Sequence, residues 1–448
     1  MRKQEIIVVG GNAAGPSAAA KAKRENPSAN VKLFEAGPFI STGTCELPYL
    51  FSGVIDDYKK LVFFSPEEFY EEKKVSVYTN HFVESINNRE KKIFVVNRND
   101  NSKIDLPYDK LILTTGSKAK IPKDLIGKKN SFTLKNISDF LSIKNYIESN
   151  NVRNILILGA GYIGIETAEN LRAMNYNVIL VEKAELPMPS SEKEISSLVK
   201  DRIEKENIEL HLQFIDMKFN IRDEKIYSVN LDGRLIDVCM VISSIGVEPN
   251  SQLAISSSLA VGKFKGIKVD GKLRTSDPSI YAAGDCIEIK NAVTNQYDYL
   301  PLATLAHAQG HIAGSNAAGG NNFNDPVVKN AAVKIFDNVL VSVGLSSIQA
   351  NQSGFQTKFV DAIVPNLVKV MPGNANTYGK IIYEKGTNRI LGAEFFGKSE
   401  VIGYGDLISA LISKKEKIDF LEKINYNYTP PNSPFINILS VLGRKAKK

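Results

Sequence analysis

Apolar and polar positions along the 448-residue chain fall into a repeating arrangement. A β-branched run at 6–9 enters Gly10, Gly11 and Gly15, and an Ala-rich stretch at 16–22 follows. A second apolar run at 31–34 ends at Glu35, 25 residues beyond Gly10. The order returns at 155–158, followed by Gly159, Gly161 and Gly164, and a run at 178–181 ends at Glu182, 23 residues beyond Gly159. Each block predicts strand, glycine turn, helix, strand and carboxylate, the order that a dinucleotide site requires. Glycine suits the turn because a missing Cβ lets the backbone approach a pyrophosphate lying on the N–H groups of the next helix. One such block is also what a tight turn in an ordinary doubly wound sheet looks like, whereas two blocks with correctly spaced acids point to two nucleotides. The first departs from the pattern at Asn12, where the middle glycine is missing.

Farther along, strand-like residues at 237–245 lead to Gly246 and Pro249, and then to the segment TSDPSIYAAGDC at 275–286. An apolar strand ending in Gly284 and Asp285 can offer a carboxylate to a sugar-alcohol chain and an N–H to a phosphate, or it can simply close in an Asx-type turn. Residues 319–326 are rich in Gly, Asn and Asp and read as a linker. Beyond it, alternating runs at 332–336 and 380–383 and an apolar helix at 401–411 predict a separate α+β unit.

Composition adds boundaries to this picture. At roughly 150 residues per domain the length suits about three domains, and 43% hydrophobic with 23% charged residues is ordinary for a globular protein. Three cysteines, Cys45, Cys239 and Cys286, are too few for a disulfide framework and suit a reducing compartment. The net charge of +7 is spread along the chain apart from a basic tail at 444–448, so it reads as solubility rather than a nucleic-acid footprint. The N-terminal residues enter a glycine turn too soon for a signal peptide, and no apolar run is long enough to span a bilayer. The expectation is a cytoplasmic protein with no nucleic-acid or membrane partner and no metal site.

The candidate chemistry lies between the nucleotide blocks, in ISTGTCELPYLFSG at 40–53. A cysteine flanked by small residues and followed by Glu-Leu-Pro can sit at a helix N-terminus, where unpaired N–H groups favour a thiolate. The other reading of Cys45 is a buried small hydrophobe. Cys239, in an apolar run, and Cys286, behind Asp285, are expected to be inert.

Taken together, TTG at 114–116, Y-I-G-x-E at 162–166, SSIG at 243–246, IYAAGD at 280–285 and Tyr-x-Pro-Pro at 428–431 resemble the flavin-dependent pyridine nucleotide-disulfide oxidoreductases over essentially the whole chain. The chain is similar to the single-cysteine branch, with coenzyme A disulfide reductases, NADH oxidases and NADH peroxidases, because Leu50 stands where two-cysteine members carry their second cysteine. The resemblance implies an α/β fold with two Rossmann-like domains, one for FAD at 1–115 and 246–322 and one for NAD(P)H at 116–245, and a C-terminal α+β dimerisation domain at 323–448. It implies a homodimer and a cofactor-binding set of Gly10, Gly11, Ala14, Gly15, Glu35, Ser41, Thr115, Gly116, Gly159, Gly161, Tyr162, Ile163, Gly164, Glu166, Glu182, Gly246, Gly284 and Asp285. Within it Glu35 grips the adenosine ribose of FAD, Asp285 its ribityl and phosphate side, Tyr162 covers the flavin and Glu166 lies beside the nicotinamide.

By the same resemblance Cys45 is the redox-active residue, and Tyr428 reaches the partner subunit's site to protonate a leaving thiolate, or is simply a packed tyrosine before a Pro-Pro turn. Lys23 and Arg24 present charge to coenzyme A, or form a solvated helix face. CELPY and Tyr428 match the coenzyme A disulfide reductase pattern, and Ala13 stands where oxidases and peroxidases carry a histidine. Met371 and Glu68 depart from that pattern, replacing a second tyrosine and a phosphate-binding lysine. The implied activity is NAD(P)H-dependent reduction of a low-molecular-weight disulfide, persulfide or coenzyme A disulfide. An NADH oxidase working through the same cysteine, and a flavoprotein electron carrier or sensor, are the alternatives. Glu182 predicts a preference for NADH, which the neighbouring Lys183 would soften.

Overall fold

The computed structural model describes residues 2–447, so Lys448 of the basic tail lies outside the described residues. The first unit opens with β1 (Glu5–Val9), α1 (Ala14–Glu25) and β2 (Asn30–Phe34). It continues through a two-stranded hairpin of Ile40–Thr42 and Val62–Phe64, α2 (Pro66–Lys73), β3 (Ser76–Tyr78) and β4 (Lys110–Leu113). The second unit holds β5 (Ser131–Thr133), α3 (Ile137–Ser149), β6 (Asn154–Leu158), α4 (Tyr162–Ala173) and β7 (Asn177–Glu182). It is completed by α5 (Lys193–Lys205), β8 (Glu209–Leu212) and β9 (Met240–Ser243). The chain then returns to the first unit for β10 (Ile280–Ala282) and α6 (Ala303–Ala317). The last unit comprises β11 (Asn330–Ile335), β12 (Asn338–Gly344), β13 (Thr357–Pro365), β14 (Asn376–Glu384), β15 (Ile390–Gly397), α7 (Glu400–Ser413) and α8 (Ile438–Lys445).

Two five-stranded parallel sheets carry the glycine turns, in the orders β10-β4-β1-β2-β3 and β5-β9-β6-β7-β8. In each, the strand entering the turn lies at the centre, where the order reverses and a crevice opens at the strand ends. Four of five residues are buried in both β1 and β6, as strands covered on both faces must be, which is why they read as unbroken apolar runs. The chain leaves the first unit through Ser117–Ala119 and re-enters it through Val247–Pro249, and these segments pair antiparallel.

The Ala-rich stretch becomes α1 because it packs backbone to backbone on α6. A Cβ on Gly310 would overlap the carbonyl oxygen of Ala14, and one on Gly314 that of Ala18. Small residues on both helices permit this approach, and it fixes the N-terminus of α1 under the first glycine turn. The third unit is an antiparallel sheet, β11-β12-β15-β14-β13, backed by α7 and α8.

The cysteine segment is anchored rather than free. Leu47, Leu50 and Leu61 share one buried cluster with Ile155, Ile165 and Ala168 of the second unit and with Leu340, Tyr378 and Phe396 of the third sheet. Leu50, standing where a second cysteine would be, is thus a core residue.

Candidate active site

Both glycine turns are built alike. Gly10 has φ +110° and Gly159 φ +98°, backbone that an L side chain adopts only under strain. A Cβ on Gly15 would overlap the carbonyl oxygen of Gly10, and one on Gly164 that of Gly159. Each turn is backed by the neighbouring strand's end, where the Thr114 N–H donates to Val9 O at 2.8 Å and the Ser244 N–H to Leu158 O at 2.7 Å. This gives TTG and SSIG a physical meaning, since each motif supplies the small residue against which a glycine turn closes.

The two acids also match. Glu35 accepts from the N–H of Gly11 at 2.6 Å and of Gly37 at 2.7 Å, while Glu182 accepts from the N–H of Ala160 and of Ala184, both at 3.0 Å. Each carboxylate is therefore held by the turn and by its own strand end, and keeps further lone pairs free to accept.

At the end of β10, Gly284 (φ +82°) donates its N–H to the buried Gln309 at 2.9 Å, and a Cβ there would press on Ala14 and Ala306. Asp285 accepts from the Ser117 hydroxyl at 2.9 Å and pairs with Lys135 at 3.4 Å. Beside them the Tyr299 hydroxyl is buried without a hydrogen-bond partner, and its pKa is pushed up first by burial and then by Asp285. Gln309, Lys135 and Tyr299 carry no sequence motif, and only the fold brings them to this corner. Among the remaining expected cofactor residues, Ser41 has φ +50° and donates its N–H to Gly11 O at 2.7 Å. The Thr115 hydroxyl donates to Asn250 O at 2.6 Å, and Gly116 and Gly246, with φ +68° and +95°, flank the crossing between the first two units. Ala14 starts α1, and Ile163, in the first turn of α4, is exposed.

Cys45 sits in a turn just before the 3₁₀ segment Leu47–Leu50 and is exposed. The expected helix N-terminus is therefore only a four-residue 3₁₀ segment, too short to sum to a macrodipole that stabilises a thiolate. The thiol is pushed up rather than down, first because protein crowds the turn and strips water from it, then by the charges of Glu46 and Glu166. Lys135 pulls the other way. Charges from both nucleotide units act on this sulfur, Glu166 from the second unit, Lys135 before α3 and Asp285 from the first.

Glu166 accepts from the Tyr49 hydroxyl at 3.2 Å, and one turn farther along α4 Asn170 accepts from Ser52 at 2.5 Å. Helix α4 thus grips the cysteine segment directly. Burial pushes the Glu166 carboxyl up to about 7. Cys286 is fully buried, with its sulfur on the carbonyls of Ala283 and Leu113, and burial pushes its thiol up to about 11. Cys239 is half-buried against the second unit's core.

The remaining expected residues have the following surroundings. The Tyr162 hydroxyl is buried toward Ser342 and Glu394 of the third sheet. Lys23 donates to the carbonyls of Pro27 and Ala29, closing the C-terminal end of α1, while Arg24 is exposed. Glu68 closes a capping box with Ser65 at the start of α2, a local reason for an acid there. Tyr428 lies exposed in an irregular segment, edge-on to Phe435 with ring centroids 5.3 Å apart, and Met371 is half-buried in the turn before β14.

Comparison with known proteins agrees with this geometry. Residues 4–310 match the family model described as pyridine nucleotide-disulphide oxidoreductase, and 331–426 match the dimerisation domain of the same family. A protein of Methanocaldococcus jannaschii named NADH oxidase is 31% identical over 99% of this chain and 98% of its own length. The NAD(P)H coenzyme A polysulfide/persulfide reductase of Pyrococcus horikoshii is 29% identical over 99% of both. The structure titled reduced Bacillus anthracis CoADR-RHD superposes with a TM-score of 0.95 at 31% identity, covering 100% of this chain and 80% of that one. With two matched nucleotide turns, a cysteine held between them and a family match across most of its length, the chain belongs to the pyridine nucleotide-disulphide oxidoreductases.

Proposed function

We propose that the chain is a homodimeric NADH-dependent reductase of a small disulfide or persulfide that works through Cys45 and acts in a reducing cytoplasm. The observation that carries this reading is an exposed thiol held between the two nucleotide units, in a segment whose Tyr49 and Ser52 hydrogen-bond to Glu166 and Asn170 of α4. The family's cofactors are FAD and NAD(P)H, and the first unit fits the flavin nucleotide: Glu35 is preset at its glycine turn, the corner beside Asp285 is polar, and the buried Tyr299 hydroxyl awaits an acceptor. When bound, FAD supplies the route by which two electrons pass from the nicotinamide to sulfur.

The Cys45 thiolate attacks a disulfide RS–SR′, forming the mixed disulfide Cys45–S–SR and releasing R′S⁻, which takes a proton. Two electrons from NADH then cleave the mixed disulfide, so one NADH, one proton and one disulfide give NAD⁺ and two thiols. Glu166, titrating near neutrality beside the sulfur, is suited to hold a proton there. Tyr428 is exposed beside Phe435, 75% exposed, and Ile436, 48% exposed, which suits a segment placed across a dimer interface where it donates to the departing thiolate. Glu182 favours NADH because its carboxylate is fixed where two ribose hydroxyls can donate and a phosphate would be repelled. Glu68 at the start of α2 disfavours a substrate phosphate there.

The relative named NADH oxidase keeps oxygen as the second reading of the acceptor. Purified FAD-loaded protein should oxidise NADH under argon when supplied with coenzyme A disulfide or a polysulfide, releasing two thiols per NADH from the disulfide. NADH consumption that needs oxygen, ignores added disulfide and survives Cys45→Ser would overturn the proposal.

A further inference from the structure

Helix α4 presents Glu166, Glu169 and Asn170 on one face, because residues three and four apart are neighbours on a helix. Each of the three is taken by another part of the chain. Glu169 accepts from the Lys334 ammonium of β11 and from the N–H of Phe336 at 2.6 Å, both in the third unit. Asn170 accepts from the Ser52 hydroxyl at 2.5 Å and returns its own amide N–H to the carbonyl of Glu166 at 2.8 Å. Glu166 accepts from the Tyr49 hydroxyl at 3.2 Å, through Oε1. Two of these partners, Tyr49 and Ser52, therefore come from the segment that carries Cys45. Leu47 and Leu50, in one buried cluster with Ile165 and Ala168 of α4, fix the 3₁₀ segment on either side of Tyr49.

The two contacts differ in what they can do. Ser52 and Asn170 are both neutral, so their bond holds the segment in place. The bond from Tyr49 ends on an ionisable carboxyl, and among the described residues it is that carboxyl's one hydrogen bond. A carboxyl stripped of water favours its neutral form, while a hydroxyl donated to it favours the charged form. Both influences meet at Glu166: burial pushes it up most, the Tyr49 hydroxyl pulls it down, and Glu169 pushes it up again. Lys334 from the third unit and Glu46 from the cysteine segment are the other charges acting on it, and it acts in turn on the Cys45 thiol. The Tyr49 hydroxyl keeps its own proton throughout, because burial and then Glu166 push its pKa up. It is thus a constant donor to a group that changes charge.

We propose that Tyr49 is a positioning residue for Glu166, through which the segment that carries the thiol sets the place and the charge of the carboxyl beside the pyridine nucleotide. The inference rests on the reading that puts this nucleotide in the second unit's crevice and a proton on Glu166. Tyr49 acts through Glu166 and not on the reacting atoms. Loss of its hydroxyl leaves the carboxyl crowded by protein with no donor, so the neutral form gains and the proton is kept to higher pH.

The test reads Glu166 in two ways on the FAD-loaded protein under argon. One is the pH midpoint in the rate of flavin reduction by NADH, and the other, with no nucleotide added, is the titration of the infrared carboxyl band that Glu166→Gln removes. Glu166→Gln should abolish the midpoint, and Tyr49→Phe should move both the midpoint and the band's titration upward by about one pH unit. Ser52→Ala breaks the neighbouring bond from the same segment and should leave both readings where they are in the parent protein. No shift or a downward shift in Tyr49→Phe, an equal shift in Ser52→Ala, or a midpoint that Glu166→Gln does not alter would each overturn the proposal. A parent protein whose flavin is not reduced by NADH would overturn the functional reading, and this is told apart from failure of the Tyr49 contact because the infrared band needs no nucleotide.

Discussion

The two nucleotide units repeat one design down to single hydrogen bonds, and they differ at the position where Asn12 replaces Gly161. In both, a glycine of positive φ enters the turn, a second glycine lies on its carbonyl, and a carboxylate takes one N–H from the turn and one from its own strand end. In the second unit Gly161 is the N-cap of α4 with open space where its Cβ would be. In the first, Oδ1 of Asn12 accepts from the N–H and hydroxyl of Thr42, and α1 begins at Ala14, one position later than α4 at Tyr162. The first turn is therefore tied to the hairpin that leads to Cys45, and the second is left open on its ligand side. This difference suits a flavin that stays bound and a nicotinamide that comes and goes.

The comparison breaks most visibly at the glycines. Gly15→Ala and Gly164→Ala each place a methyl group on a backbone oxygen that cannot move without opening the turn, a cost on the order of 3 kcal/mol. Gly15→Ala should yield protein without FAD, whereas Gly164→Ala should keep FAD and lose its reduction by NADH. Flavin released by heat and the rate of bleaching with NADH separate the two. Equal loss of FAD in both variants would contradict separate sites.

A smaller effect is expected at the acids. Removing a charged acceptor of ligand hydroxyls costs about 2 kcal/mol, or a factor of about 30. Glu35→Ala should raise the dissociation constant of FAD by that order and leave the NADH KM nearly unchanged. Glu182→Ala should raise the NADH KM and narrow the preference over NADPH, as measured by kcat/KM for the two nucleotides.

Smaller again is the influence of the carboxylates on the thiol. Burial raises the Cys45 pKa most, followed by Glu46 and then Glu166, which itself titrates near 7. Neutralising either acid removes a negative charge beside the thiolate, so the pH profile of Cys45 alkylation should move to lower pH, by up to about one unit. Glu46→Gln should move it farther than Glu166→Gln. A shift to higher pH in either variant would contradict the sign.

The smallest effect is expected from Asn12→Gly, which frees two donors of Thr42 in an exposed setting and should cost about 1 kcal/mol or less. It should loosen FAD slightly without altering the NADH KM.

Much of this was legible in the chain because the turns are local. Glycine spacing, β-branched runs and the distance to an acid are dictated by backbone geometry within about 25 residues, and the helix and strands appear where those patterns place them. What the sequence could not carry arises from contacts across the fold. Lys135 meets Asp285 from 150 residues away, and Gln309 reaches Gly284 only because α6 packs on α1. The Cys45 thiol is pushed up rather than down, first because the packed turn strips water from it, then by the neighbouring Glu46 and only then by Glu166 from a distant helix, and the expected helix start is a short 3₁₀ turn. Lys23, read as a substrate cation, closes its own helix, a local use that competes with any ligand.

In the proposed reaction electrons leave through Cys45 alone. Rapid mixing of NADH with Cys45→Ser, Cys239→Ser and Cys286→Ser proteins, followed by addition of a disulfide under argon, tests it most directly. All three should accept electrons from NADH at near-parental rates, and thiol release should fall by about 1,000-fold or more in Cys45→Ser only. Parental thiol release by Cys45→Ser, or its loss in Cys286→Ser with FAD still bound, would contradict the account.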